Sequence, residues 1–185
     1  MSEFGGTIVF VAGPSGAGKD SLIRYAAQRL AQDQRFVFPR RVITRGPERT
    51  EDHDETSPNQ FRRAVAEGRF ALYWQAHGLS YGIPIGIETD LATGRTVAVN
   101  VSRNVLAHAI ERYRRHLVAL IDAPPAVLAQ RLAERGRERG SDIDKRVERK
   151  TSPLPEGARV AIIWNDTSLE AAGDAFVILL RKTQA

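Results

Sequence analysis

Cysteine is absent from the 185 residues, which excludes a disulfide framework and a thiolate metal site and points to a cytoplasmic setting. Lysine is scarce as well: of 27 basic residues only four are Lys, leaving 23 Arg. No low-complexity basic tail accompanies the net charge of +5, so no nucleic-acid partner is expected. Arginine's planar fork suits bidentate recognition of phosphate. A general bias toward arginine explains those scattered over the surface, so only arginines near a proposed site carry weight. No run approaches the roughly 18 apolar residues of a membrane span, and residues 1–4 lack a basic-then-apolar export pattern, so no membrane association is expected. The length suits one domain, 1–185, as a monomer or homodimer.

What is present is a phosphate-binding loop. Gly13-Pro14-Ser15-Gly16-Ala17-Gly18-Lys19-Asp20-Ser21 follows a continuous apolar run, residues 7–12, and opens a segment of helical period. In the spacing G-x-x-x-x-G-K small residues let successive backbone N–H groups curl around an anion, the following helix aims its positive end at the same point, and the lysine reaches the outer phosphates. The usual residue after that lysine is Ser or Thr, whose hydroxyl ligates Mg²⁺. Here it is Asp20.

The apolar run 7–12 reads as a central strand buried on both faces, and Leu22, Ile23, Ala26, Ala27 and Leu30 predict a helix over 21–31. Residues 36–43 read as a second strand and 44–54 as a polar exposed segment. The capping box Ser57-Pro58-Asn59-Gln60 opens a helix running to Gly68. Strands follow over 70–76 and 79–83, joined through Gly78, then a helix over 85–92 closed by Gly94 and a strand over 96–101. A helix over 104–113, a strand over 116–121, a helix over 125–135, a strand over 158–164 and a terminal helix over 168–180 complete the chain. The last helix has Leu169, Ala172, Ala175, Phe176 and Leu179 on its apolar face. Such alternation predicts a parallel sheet covered on both faces. Arg131, Arg135, Arg137, Arg139, Arg146 and Arg149 surround a polar break at 136–142, in outline a hinged basic flap.

Taken together, the loop, Thr44-Arg45 with Pro47, Ser80-Tyr81-Gly82, Ala123-Pro124-Pro125, Arg131-Leu132 with Arg135-Gly136, and Asn165-Asp166 resemble the guanylate kinase family over nearly the whole chain. The resemblance implies an α/β fold: a P-loop kinase three-layer α/β/α architecture with a central parallel five-stranded sheet. It further implies a core of about 1–43 and 96–185, an acceptor-binding insertion of about 44–95, and an arginine-rich lid of about 136–145. The departures are informative. The family's guanine-reading Glu falls on Leu72 and its two aspartates on Asn100 and Ser102. A leucine cannot accept hydrogen bonds from guanine, and unpaired donors cost orders of magnitude in specificity. The family's second arginine after Thr44-Arg45 falls on Glu48, with Arg49 adjacent.

The pattern is closer to the ribose 1,5-bisphosphate phosphokinase branch, known in phosphonate breakdown, through Asp20-Ser21 after the loop lysine, Val42-Ile43-Thr44-Arg45, the stretch Trp74 to Pro84, Val99-Asn100-Val101-Ser102-Arg103, and Leu128 to Leu132 with Arg135-Gly136-Arg137-Glu138. That resemblance implies ATP-dependent phosphorylation of ribose 1,5-bisphosphate to 5-phosphoribosyl 1-diphosphate, with Mg²⁺ as cofactor. Gly13 to Ser21 and Asn165 would bind ATP, with Asp20 on the metal side or, more plainly, capping the helix. Lys19, Arg131, Arg135 and Arg146 would stabilise the transferring group. Arg45, Arg49, His77, Tyr81 and Arg103 would hold the acceptor, and Trp74 reads as a core aromatic. The alternatives are a guanylate or other nucleoside monophosphate kinase, and an inactive binding module of the same fold.

Overall fold

The computed structural model describes residues 4–45, 53–76, 78–134 and 153–184. In chain order the elements are β1 (Thr7–Ala12), α1 (Lys19–Arg29), β2 (Phe36–Val37), β3 (Arg41–Ile43), β4 (His53–Glu55), α2 (Pro58–Ala66), β5 (Phe70–Ala76) and β6 (Leu79–Pro84). Then come α3 (Ile87–Ala92), β7 (Thr96–Asn100), a 3₁₀ turn (Arg103–Val105), α4 (Leu106–Arg112), β8 (His116–Asp122), α5 (Pro125–Glu134), β9 (Val160–Trp164) and α6 (Leu169–Lys182).

β1 is buried along its whole length because it is the middle strand of a five-stranded parallel sheet, ordered β2-β7-β1-β8-β9. Successive side chains of a strand point to opposite faces. Val9 and Val11 therefore join Leu22, Ala26, Ile121, Phe176 and Leu180 under α1 and α6. Ile8 and Phe10 join Val97, Val99, Leu106, Ala109 and Val118 under α4 on the other face. Both faces are covered, which is why the sequence of β1 shows no alternation.

A second sheet, ordered β4-β3-β6-β5, stands beside the first. Here the structure corrects the single strand expected over 36–43. Phe36–Val37 pairs with β7 in the core sheet, whereas Arg41–Ile43 pairs with β6. Pro39, which has no N–H to donate, stands at the break. Within the stretch expected to be polar and exposed, His53–Glu55 forms β4, parallel to β3, with His53 buried. The capping box at Ser57 is present in full. Helix 104–113 begins instead as the 3₁₀ turn, capped by Ser102. Among the described residues no helix is long and apolar enough to cross a membrane.

Candidate active site

The loop leaves the C-terminal end of β1, where open parallel sheets bind ligands. Gly13, Gly16 and Gly18 have φ of 152°, 85° and 86°. At Gly13 an added Cβ would collide with the Ile121 carbonyl oxygen, and at Gly18 with the Asn165 amide. Gly18 caps α1 in the left-handed conformation with no side chain bonded to the first-turn amides. Those donors and the helix's positive end form a site for an anion. Lys19 Nζ donates to the Gly13 and Pro14 carbonyls, at 3.0 and 2.8 Å, so the ammonium sits against the loop.

Asn165, expected in the ATP set, is buried and donates its amide to the Ala17 carbonyl at 2.8 Å, while its own backbone N–H reaches the Asp122 carbonyl. It braces the loop from β8 and β9. Replacing it with alanine leaves a loop carbonyl unsatisfied. We expect Asn165→Ala to lose about 1–3 kcal/mol in urea unfolding and to weaken nucleotide binding, both readable on one preparation.

Asp20 is not a helix cap, since Gly18 holds that position. Its Oδ1 accepts from Asn100 Nδ2 at 2.7 Å and from Arg41 Nη2 at 3.2 Å. The Arg41 side chain is only 11% exposed, and its guanidinium lies 5.8 Å from the centre of the Tyr81 ring. Tyr81 in turn stacks on Trp74, with ring centres 5.4 Å apart and planes at 5°. A continuous path thus runs from the loop to the second sheet. Arg41 and the contact made by Asn100 escaped the sequence reading; the available signal was Pro39, which detaches Arg40-Arg41 from the core strand.

Two further arginines each carry a buried donor with no partner among the described residues. An added Cβ on Gly16 would lie 3.1 Å from the Leu128 carbonyl oxygen and 3.4 Å from Leu132 Cγ, so α5 packs directly on the loop. Arg131 belongs to that segment, and its buried Nη1 has no hydrogen-bond partner among the described residues. Arg103 Nε is buried in the same condition, and burial lowers the Arg103 pKa while nearby Asp122 opposes the shift. A buried donor without an acceptor costs about 1–3 kcal/mol, more when charged, and a phosphate oxygen is an acceptor of the kind these donors lack. Arg45 lines an open pocket of 370 Å³ with Thr44, Glu55, Thr56, Ser57 and Gln60. Arg49, His77, Arg135 and Arg146, with Arg137, Arg139, Arg149 and the segment 136–145 expected to form a lid, lie outside the described residues.

No family model matches the chain. Among curated proteins, the ribose 1,5-bisphosphate phosphokinase PhnN of Acidiphilium cryptum is 51% identical over 177 residues, 95% of this chain and 93% of that protein. This chain belongs to the ribose 1,5-bisphosphate phosphokinase family. The PhnN phosphokinase of Bradyrhizobium diazoefficiens is 46% identical over 158 residues, 85% of this chain and 80% of that protein. The crystal structure of guanylate kinase from Anaplasma phagocytophilum superposes with a TM-score of 0.72 at 19% identity, covering 100% of this chain and 89% of that one. The fold is therefore guanylate kinase-like.

In this phosphokinase-family chain the three positions that would carry guanine-reading carboxylates have other work. Leu72 is 1% exposed, packed in the apolar cluster below β5 and paired with Ile83. Asn100 is bonded to Asp20, and Ser102 Oγ accepts from the Asn104 N–H that opens the 3₁₀ turn. None of the three offers a carboxylate to a purine.

Proposed function

We propose that the chain transfers the γ-phosphoryl group of ATP to the 1-phosphate of ribose 1,5-bisphosphate, giving 5-phosphoribosyl 1-diphosphate and ADP, as a cytoplasmic step of phosphonate catabolism. The observation that carries this reading is a phosphate loop with Arg41 bonded to its Asp20, Arg131 on the helix that packs on Gly16, and unpartnered buried donors on Arg103 and Arg131, with no carboxylate at the base-reading positions. Identity of 51% to a curated phosphokinase supports it.

An oxygen of the acceptor phosphate forms the new bond to the γ-phosphorus, and the bond from that phosphorus to the β–γ bridging oxygen breaks, its electron pair leaving on ADP. The acceptor is already an oxyanion at neutral pH, so no general base is required. Catalysis rests on alignment and on neutralising charge in the transition state. Lys19 and the amides of residues 16–21 hold the donor phosphates, with Arg131, and with Arg135 and Arg146 from the lid, over the transferring group. Arg45, Arg49, His77, Tyr81 and Arg103 hold the two phosphates of the acceptor in the insertion 44–95 and at its junction with the core.

Mg²⁺ fits the donor set that is present. Oδ2 of Asp20 accepts no hydrogen bond among the described residues, the bonds from Arg41 and Asn100 both falling on Oδ1. No three His, Asp or Glu side chains among the described residues group to cage a metal. A hard cation held by one carboxylate, waters and substrate phosphates suits such a site. When bound, it would screen charge between the β- and γ-phosphates.

A ³¹P NMR panel with ATP and Mg²⁺ tests the assignment. We expect ribose 1,5-bisphosphate to be consumed with growth of diphosphate signals, while GMP, dGMP and AMP persist. Conversion of GMP without conversion of the sugar bisphosphate would make the chain a nucleotide kinase instead.

A further inference from the structure

The usual division of labour at the cation site of a P-loop enzyme gives the hydroxyl to the residue after the loop lysine and the carboxylate to an aspartate from elsewhere in the sheet. Here the residue after Lys19 is the carboxylate, Asp20, and the residue facing it is an amide. Asn100 is the last residue of β7, the strand paired directly with β1, in register with Val11 just before the loop. It is 6% exposed, and its Nδ2 donates to Asp20 Oδ1 at 2.7 Å across 80 residues of sequence.

We propose that Asp20 and Asn100 are a transposed pair: the carboxylate of the cation site stands at the helix start, on Asp20, rather than on a strand of the sheet, and Asn100 is the positioning residue that aims it. This deepens, and rests on, the metal assignment made above.

The placement of the hydrogen bonds is the reason. Asn100 and Arg41 both donate to Oδ1, which fills the two lone pairs of that oxygen and leaves Oδ2 for a cation. An aspartate at position 100 as well would set two carboxylates within hydrogen-bonding distance of each other, where they cannot both ionise without penalty. An amide is the nearest isostere that turns this repulsion into a bond. Burial of Asn100 fixes its rotamer, so that Asp20 is held from a rigid strand rather than from a mobile side chain. Partners behind a metal ligand typically govern metal affinity by about 10–100-fold.

The transposition makes a prediction that a simple structural role for Asn100 does not. In the double variant Asp20→Ser/Asn100→Asp the hydrogen bond between the two positions survives with donor and acceptor exchanged, because the introduced hydroxyl donates to the introduced carboxylate. The readout is calorimetric affinity for the non-hydrolysable analogue AMP-PNP with and without Mg²⁺, which involves no acceptor and no turnover. A failed acceptor panel would thus leave it intact. We expect Asn100→Leu to reduce the Mg²⁺-dependent gain in affinity about tenfold, with metal-free affinity within about twofold of wild type. Asp20→Ser should remove most of the gain, and the double variant should restore it to within about threefold of wild type. Should Asn100→Leu not fold by circular dichroism, Asn100→Ser serves in its place. A double variant no better than Asp20→Ser, or an Asn100 variant with an unchanged gain, would overturn the proposal.

Discussion

Lys19→Ala is expected to lower turnover by about three orders of magnitude at saturating ATP and acceptor, measured by coupled ADP release. In the structure the ammonium is bonded to the Gly13 and Pro14 carbonyls, so it already lies against the loop, at the start of α1, where no side chain caps the first-turn amides. It adds a full positive charge to a ring of partial ones. Those backbone partial charges are common to ground state and transition state, whereas the charge that develops on the β–γ bridging oxygen appears only as the bond breaks. A point charge that follows that oxygen acts mainly on kcat. ATP affinity should weaken by roughly tenfold. Lys19→Met keeps most of the side-chain length and should lose as much, which separates charge from packing. Lys19→Arg should not recover activity, because a planar guanidinium does not reproduce a compact ammonium in a loop closed around it. The helix itself should survive all three changes, since Leu22 and Ala26 carry its packing. A kcat within about tenfold of wild type for Lys19→Ala would mean that the backbone donors alone bear the developing charge.

The parts of this molecule legible in its sequence are those whose cause is local. The loop announces itself because Gly13, Gly16 and Gly18 occupy positive φ that other residues rarely adopt. Ser57 and Gln60 announce α2 because their reciprocal bonds are three residues apart. The β5–β6 hairpin is visible because Gly78, at φ 74°, separates two runs of strand-forming residues.

What was hidden depends on contacts distant in sequence. β4 is polar and short, and it exists because β3 offers it a ladder and Arg40 Nη2 reaches the His53 carbonyl at 2.7 Å. The face expected for α6 holds at Ala172, Phe176 and the half-buried Leu179 and is displaced elsewhere. Leu169 and Ala175 are exposed, while Ala172, Gly173, Phe176, Val177 and Leu180 are buried. Gly173 must face α1 because any Cβ there would strike the Tyr25 ring, and Tyr25 donates its hydroxyl to Asp174 on the adjacent position at 2.8 Å. Apolar periodicity alone could not find a helix face chosen by a glycine. Asn100 is the same lesson at the site: read by its chemistry it is a lost carboxylate, and only the fold shows the carboxylate opposite it.

Arg131→Leu is expected to lower kcat about 10³-fold while leaving thermal stability unchanged or raised. The two halves of that result have one cause. Arg131 sits on α5 between Leu128 and Leu132, the residues that pack on Gly16, so its guanidinium is carried by the helix that closes one wall of the loop. Its buried Nη1 has no acceptor among the described residues, which is a standing penalty of about 1–3 kcal/mol. Leucine removes that penalty and keeps apolar volume over the loop. An arginine retained for structure would instead show a bonded guanidinium and a fall in melting temperature on removal. Arg131→Lys should recover less than about a tenth of the lost rate, because a phosphoryl group passing between two oxygens is best held by two N–H donors in a fixed fork. The effect should fall on kcat with KM for the acceptor little changed, since the group being contacted belongs to neither substrate alone at the moment of transfer. Loss of stability in Arg131→Leu together with near-normal turnover would assign Arg131 to the packing of α5 and leave charge neutralisation to other cations.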